Sequence, residues 1–155
     1  MTSVNAMLCR LRLHGFTLAE LVIALVVLGI LIGAAAVPFG RTLDRYAARA
    51  ARDALAAGIA HARAAAIASG GAELVIDLRG ARYVIRVAGA PPAAPVDLRA
   101  QYRVALSVEG QPADSVVLRF DALGIGRTTG RTFRIRRGSA EARLTVATYG
   151  RVRRW

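Results

Sequence analysis

Glu20 is a lone carboxylate in apolar surroundings. From Leu21 to Val37 the chain runs 17 residues without a charge, and the apolar stretch reaches back to Phe16, interrupted only by Thr17 and Glu20. An acid near the start of a membrane-length helix is costly unless neutral or paired, so such residues usually have a task. At the other end, Arg127 to Trp155 holds nine arginines (Arg127, Arg131, Arg134, Arg136, Arg137, Arg143, Arg151, Arg153 and Arg154) against one acid, Glu141. Guanidinium groups suit phosphates, and the Trp155 ring offers a surface on which an exposed base could stack. Charge pairing inside a membrane and phosphate binding are the chemistries these residues allow.

Catalysis has little to stand on. No His, Cys and Asp cluster falls at metal-ligand spacing, and there is no phosphate loop or nucleophile elbow. His61 lies in an alanine-rich stretch and reads as a surface or interface residue, not a base. Gly124 and Gly126 read as turn glycines with positive φ, since no helix comes after them. The chain reads as a non-enzyme with no cofactor and no metal.

The 155 residues suffice for one domain and an appendage. The net charge of +12 comes from 22 basic and 10 acidic residues, and every basic residue is arginine. Mean hydropathy is +0.40 although 21% of residues are charged, so the apolar residues must be concentrated. They lie near the N-terminus. Phe16 to Phe39 supplies the roughly 20 residues, at about 1.5 Å each, that cross a hydrocarbon core of about 30 Å. Arg10, Arg12 and His14 precede this stretch without an acid, which keeps the first 15 residues cytoplasmic and exports the chain beyond Phe39. The sole cysteine, Cys9, lies in this leader, so the exported part has neither a disulfide framework nor a cysteine-based site. Hydropathy leaves two readings open: a secretory signal cleaved after Ala34-Ala35-Ala36, or a plain anchor. Both leave Glu20 unexplained.

The residues from Gly15 onward supply a third reading, because "GFTLAELVIALVVLGIL" closely resembles the signal of type IV pilins and of the pseudopilins of type II secretion. The resemblance implies cleavage by a prepilin peptidase between Gly15 and Phe16, followed by N-methylation of Phe16. It also implies that Glu20 neutralises the Phe16 amine of a neighbouring subunit during assembly. Two charges that are each expensive in lipid become tolerable when they meet across an interface. Residues 1–15 are then a removed leader, 16–39 a membrane and filament-core helix, and 40–155 a periplasmic domain. The partners implied are the peptidase, other pilins or pseudopilins, and the inner membrane.

The elements that position these residues are legible in the pattern. Pro38 is expected to bend the helix, with Gly40 loosening the same turn. A second helical stretch runs from Arg41 to Ser69, with Leu43, Tyr46, Leu55, Ile59 and Ile67 as its larger apolar residues. Arg41, Arg45, Arg49 and Arg52 share one face, and Ser69-Gly70-Gly71 stops the helix. Beyond it lie β-rich runs at Glu73 to Leu78, Tyr83 to Ala88, Asp97 to Val108, Val116 to Phe120, Thr132 to Arg136 and Arg143 to Thr148. Arg79-Gly80-Ala81-Arg82 joins the first two as a hairpin, and Gly89 to Pro95 is a loop. The fold class is α+β and pilin-like: one long N-terminal helix whose exported half packs on a mostly antiparallel sheet.

The segment "LRFDALGIGRTTGRTFRI" resembles the strand, glycine turn and strand near the end of the GspH/FimT family, and "TVATYGRVRRW" is similar to that family's closing strand and GRxR tail. The tail resemblance implies DNA capture for natural transformation. With Phe133, Ile135, Leu144 and Val146 facing the core, Arg134, Arg136 and Arg143 face solvent. In an extended basic tail, residues 151–155, Arg151 and Arg153 point the same way about 6.6 Å apart, and Arg154 and Trp155 complete it. A genome that favours arginine also produces solvated arginine faces without a ligand. Anionic lipid headgroups and acidic proteins are rival ligands. Two functions therefore stand side by side: a minor pilin that binds DNA through this region, and an H-type minor pseudopilin of type II secretion without nucleic-acid affinity.

Overall fold

The computed structural model describes residues 17–110, 113–127 and 130–155; Phe16 and the whole of the expected leader, residues 1–15 with Gly15, lie outside the described residues. The first element, α1 (Leu18–Ser69), is helical through Pro38. A proline removes one backbone hydrogen bond, and the turns on either side retain theirs. The chain divides into two units after Val37. In the first, the large apolar side chains from Leu18 to Ile32 are about half to four-fifths exposed. This helix is long and apolar enough to cross a membrane, with a mean hydropathy of 2.8 over its most apolar window.

In the second unit, α1 buries Ala51, Leu55, Ile59, Ala62 and Ala66, spaced by four, four, three and four residues along one face. Leu43, Tyr46 and Ile67 are exposed instead, so the core side of the helix is mostly alanine. Small side chains let neighbouring backbones come close. At Gly58 a Cβ would sit 2.6 Å from the Tyr83 ring, whose hydroxyl donates to the Ala54 carbonyl at 3.3 Å. Burial pushes the Tyr83 phenol above its usual pKa. The helix stops where glycine permits it: Gly70 has φ +83°.

The rest of the unit is two four-stranded antiparallel sheets, where the sequence pointed to one. β1 (Gly71–Asp77), β2 (Arg82–Val87), β3 (Val96–Asp97) and β5 (Ser115–Asp121) form the first, in the order β3-β2-β1-β5. β4 (Ala105–Val108), β6 (Arg131–Arg137), β7 (Ala140–Val146) and β8 (Val152–Arg154) form the second, in the order β4-β6-β7-β8. The hairpin at 79–82 is present, and β1 pairs with β2 from Ala72↔Val87 to Asp77↔Arg82. The run from Asp97 to Val108, read as one strand, is divided by a one-turn helix, α2 (Leu98–Tyr102). Asp97 caps it by accepting from the Ala100 N–H at 2.8 Å, and Arg103 ends it in the left-handed region at φ 56°.

The strand, turn and strand from Leu118 to Ile135 cross between sheets, since β5 and β6 do not pair. The Asp121 carboxylate organises this crossing, accepting from the N–H of Leu123 at 3.0 Å and of Ile125 at 2.9 Å. The Ile125 N–H, foremost, holds the Asp121 carboxyl below its usual pKa. Gly124 has φ +71° as expected. Gly126 is not among the positive-φ residues; its requirement is space, because a Cβ would lie 2.9 Å from the Gly150 nitrogen. Both sheets turn their apolar faces to α1, and Leu74, Ile76, Leu118, Phe120, Leu106, Phe133, Ile135 and Leu144 join Leu55 and Ile59 in one continuous core.

Candidate functional site

At the start of α1, Thr17 and Glu20 bond reciprocally. The Thr17 hydroxyl accepts from the Glu20 N–H at 3.2 Å, and the Glu20 carboxylate accepts from the Thr17 N–H at 3.4 Å and from its hydroxyl at 3.3 Å. This is a capping box, which satisfies backbone donors that would otherwise be orphaned in an apolar setting. The Thr-x-x-Glu spacing is readable in the sequence, where the charge of Glu20 overshadows it. Within one chain the carboxylate is therefore already engaged.

The second site is built by β6, β7 and β8. Phe133 and Ile135 are buried, as are Leu144 and Val146, and alternation places Arg134, Arg136 and Arg143 on the outer face of the second sheet. Register brings Arg134 opposite Arg143. The tail is not free. Val152 pairs with Val146, Arg153 with Thr145 and Arg154 with Leu144, and the Trp155 N–H donates to the Arg143 carbonyl at 3.0 Å. Alternation then sets Arg153 and Trp155 beside Arg143, with the Arg153 guanidinium carbon 5.6 Å from the Trp155 ring centroid. Arg154 has the opposite parity and turns toward α1, where its guanidinium lies 3.7 Å from Asp53. Arg52 of α1 donates to the Trp155 carbonyl oxygen at 3.0 Å.

Acids temper this face more than the linear sequence implies. Glu109, just past β4, accepts from Arg134 Nε at 2.6 Å and lies 3.7 Å from Arg143. Glu141 accepts from Arg143 Nε at 2.7 Å. That bond, foremost, holds the Glu141 carboxyl below its usual pKa. Glu109 was missed because it is 25 residues from Arg134 in sequence. Arg134 and Arg143 are thus partly neutralised, whereas Arg136, Arg151 and Arg153 have no carboxylate within 4 Å among the described residues. On the first sheet Arg119 pairs with Glu73 at 2.8 Å, Arg82 with Asp77 at 2.8 Å and Arg127 with Asp121 at 3.3 Å, and Arg86 has no carboxylate within 4 Å among the described residues. On the second, Arg151 and Arg153 lie beside or on the edge strand β8.

The loop before β8 is what aims the tail. Ala147 accepts from the Gly150 N–H at 2.8 Å and donates to the Arg151 carbonyl at 2.8 Å, a three-residue hairpin loop closed by Gly150 at φ +81°. Gly150→Ala is expected to destabilise the domain by about 1–2 kcal/mol, the strain of a side chain in the left-handed region. Urea unfolding measures this, and unchanged stability would contradict the role assigned to the loop. His61 is exposed on α1, and among the described residues no three His, Cys, Asp or Glu side chains group to hold a metal.

Residues 10–36 match the family described as the prokaryotic N-terminal methylation motif. Among solved structures, the type IV minor pilin FimU of Pseudomonas aeruginosa is similar, with a TM-score of 0.55 at 21% identity over 72% of this chain and 90% of that one. The minor pseudopilin EpsH from the Type 2 Secretion System of Vibrio cholerae is similar too, with a TM-score of 0.53 at 19% identity over 70% of this chain and 95% of that one. No curated protein sequence matches significantly. The chain thus carries the N-terminal methylation motif at one end and, in the rest, the pilin fold that FimU and EpsH share.

Proposed function

We propose that the chain is a minor pilin cut between Gly15 and Phe16, methylated at Phe16, and anchored in the inner membrane through residues 16–39 with residues 40–155 in the periplasm. It joins a pilus-like filament through α1, and its arginine surface binds DNA during uptake for natural transformation. The observation that supports DNA as ligand is the gathering of Arg143, Arg151 and Arg153 with exposed Trp155 along β7 and the edge strand β8, with Arg136 on the same outer face two strands in. Such a surface reads the phosphate backbone and largely ignores sequence. The full chain in detergent micelles is expected to bind a fluorescent duplex with log-log salt slopes of about −0.9 per phosphate contacted. Absence of binding at low salt leaves the alternative, an H-type pseudopilin of type II secretion without nucleic-acid affinity.

Processing is tested separately. Mass spectrometry of the mature chain is expected to find methylated Phe16, and an N-terminus at Val37 or at Met1 overturns the assignment. Glu20→Ala is expected to be cleaved normally yet to enter filaments poorly, because the Phe16 amine loses its partner. Normal incorporation of this variant removes the pairing role. Its capping box is lost as well, so Glu20→Gln, which can still accept from Thr17, separates helix capping from charge pairing.

A further inference from the structure

On the other side of β8 from Trp155 lies a cleft of about 390 Å³ between α1 and the tail. Its helix wall is Ala56, Ile59, Ala60 and Arg63, a spacing of three, one and three residues that keeps all four on one face. Its strand wall includes Tyr149, Arg151, Val152 and Arg154. The two alanines leave the space, and buried Ile59 with half-buried Val152 makes the floor apolar. Arg63 and Arg151 have no carboxylate within 4 Å among the described residues, and Arg154 has only Asp53, itself held by Arg52 at 3.0 Å.

We propose that this cleft is a phosphate seat in which Arg63 and Arg154, with Arg151 at the rim where the chain enters β8, hold one backbone phosphate of bound nucleic acid, with the exposed Tyr149 ring beside it. The proposal rests on the reading that the arginine surface binds DNA, and it extends that surface around the sheet edge onto α1. Three guanidinium groups around one concavity match a phosphate's several oxygens, and each fork can donate two parallel hydrogen bonds. Low-dielectric walls strengthen that attraction compared with an open face. The bound backbone then runs from Arg143 and Arg153 on the outer face, past β8, to Arg63. Arg52 and Asp53 anchor the far end, fixing the strand that forms one wall.

The test uses the full chain in zwitterionic nanodiscs, with a fluorescent 20-base-pair duplex as probe. Arg63→Gln is expected to lower affinity about 5-fold at 0.15 M salt and to flatten the salt slope by about 0.9, the signature of one lost phosphate contact. Ala60→Glu, which sets a carboxylate against the seat, is expected to lower it more than Arg63→Gln does, while Ala60→Gln leaves it unchanged. Arg45→Gln removes an exposed charge of α1 away from the cleft and is expected to leave binding unchanged. Thermal melts confirm that each variant folds. If Arg45→Gln weakens binding as much as Arg63→Gln, the effect is bulk charge and the seat is overturned. It is likewise overturned if Arg153→Gln weakens binding while Arg63→Gln and Ala60→Glu do not, although DNA binding itself then stands. A change seen only with vesicles containing anionic lipid assigns the cleft to headgroups and overturns the proposal. No duplex binding by the unaltered chain refutes the DNA reading and with it the seat.

Discussion

Changing Arg151 and Arg153 together to glutamine is expected to weaken duplex binding about 30-fold at 0.15 M salt and to flatten the salt slope by about 1.8, as two phosphate contacts are lost. The fold should survive. Both side chains are exposed, neither has a carboxylate partner among the described residues, and the strand pairing of β8 uses backbone groups. Arg153 gives up its contact with the Trp155 ring, worth about 0.5–1 kcal/mol at an exposed site. Anisotropy titrations at several salt concentrations supply both readouts, and urea unfolding checks stability. Unchanged binding would move the DNA site to Arg134, Arg136 and Arg143. Loss of binding together with loss of the fold would mean that the tail is structural first.

Phe133→Ala carries the largest expected cost in stability, about 3–5 kcal/mol, because the ring is fully buried where both sheets and α1 meet. In a domain of this size that corresponds to a fall in Tm of roughly 10–25 °C. Its neighbour but two, Arg136, is exposed on the opposite face of the same strand, and Arg136→Ala is expected to stay within about 0.5 kcal/mol. Differential scanning calorimetry distinguishes the two. Comparable losses would mean that the register of β6 has been misassigned.

Periodicity carried much of this fold. The alternation of Phe133, Arg134, Ile135 and Arg136 identified which face of β6 is buried, and Ser69-Gly70-Gly71 marked the helix end. What escaped depended on groups distant in sequence. Nothing local distinguishes a β5–β6 hairpin from a crossing between sheets, because that choice rests on which strands β1 and β7 recruit. Size alone does not separate exposed Leu43, Tyr46 and Ile67 from buried Leu55 and Ile59, whereas the close approach of Tyr83 to Gly58 calls for small residues on the buried side of α1. The division at Leu98–Tyr102 had a local signal, Asp97 capping a turn, which β-rich neighbours overrode. For the arginine surface, composition located the charge. Only register showed that Glu109 tempers it and that Arg154 turns away from Arg153.

The bond from Arg52 to the Trp155 carbonyl spans 103 residues, and that separation sets a timetable. At about 5–20 residues per second of synthesis, the α1 segment waits about 5–20 s before the strand that closes against it exists. During this interval its inner stripe lacks its full cover, because the core strands are made one after another. Alanine suits such a wait: it favours helix without tertiary support and exposes little apolar surface to neighbouring nascent chains. A leucine-rich stripe would bind the finished sheets more strongly, yet it would spend those seconds as an adhesive surface. The small residues at Ala48, Ala51, Ala56, Ala62 and Ala66 trade final stability for a quiet intermediate.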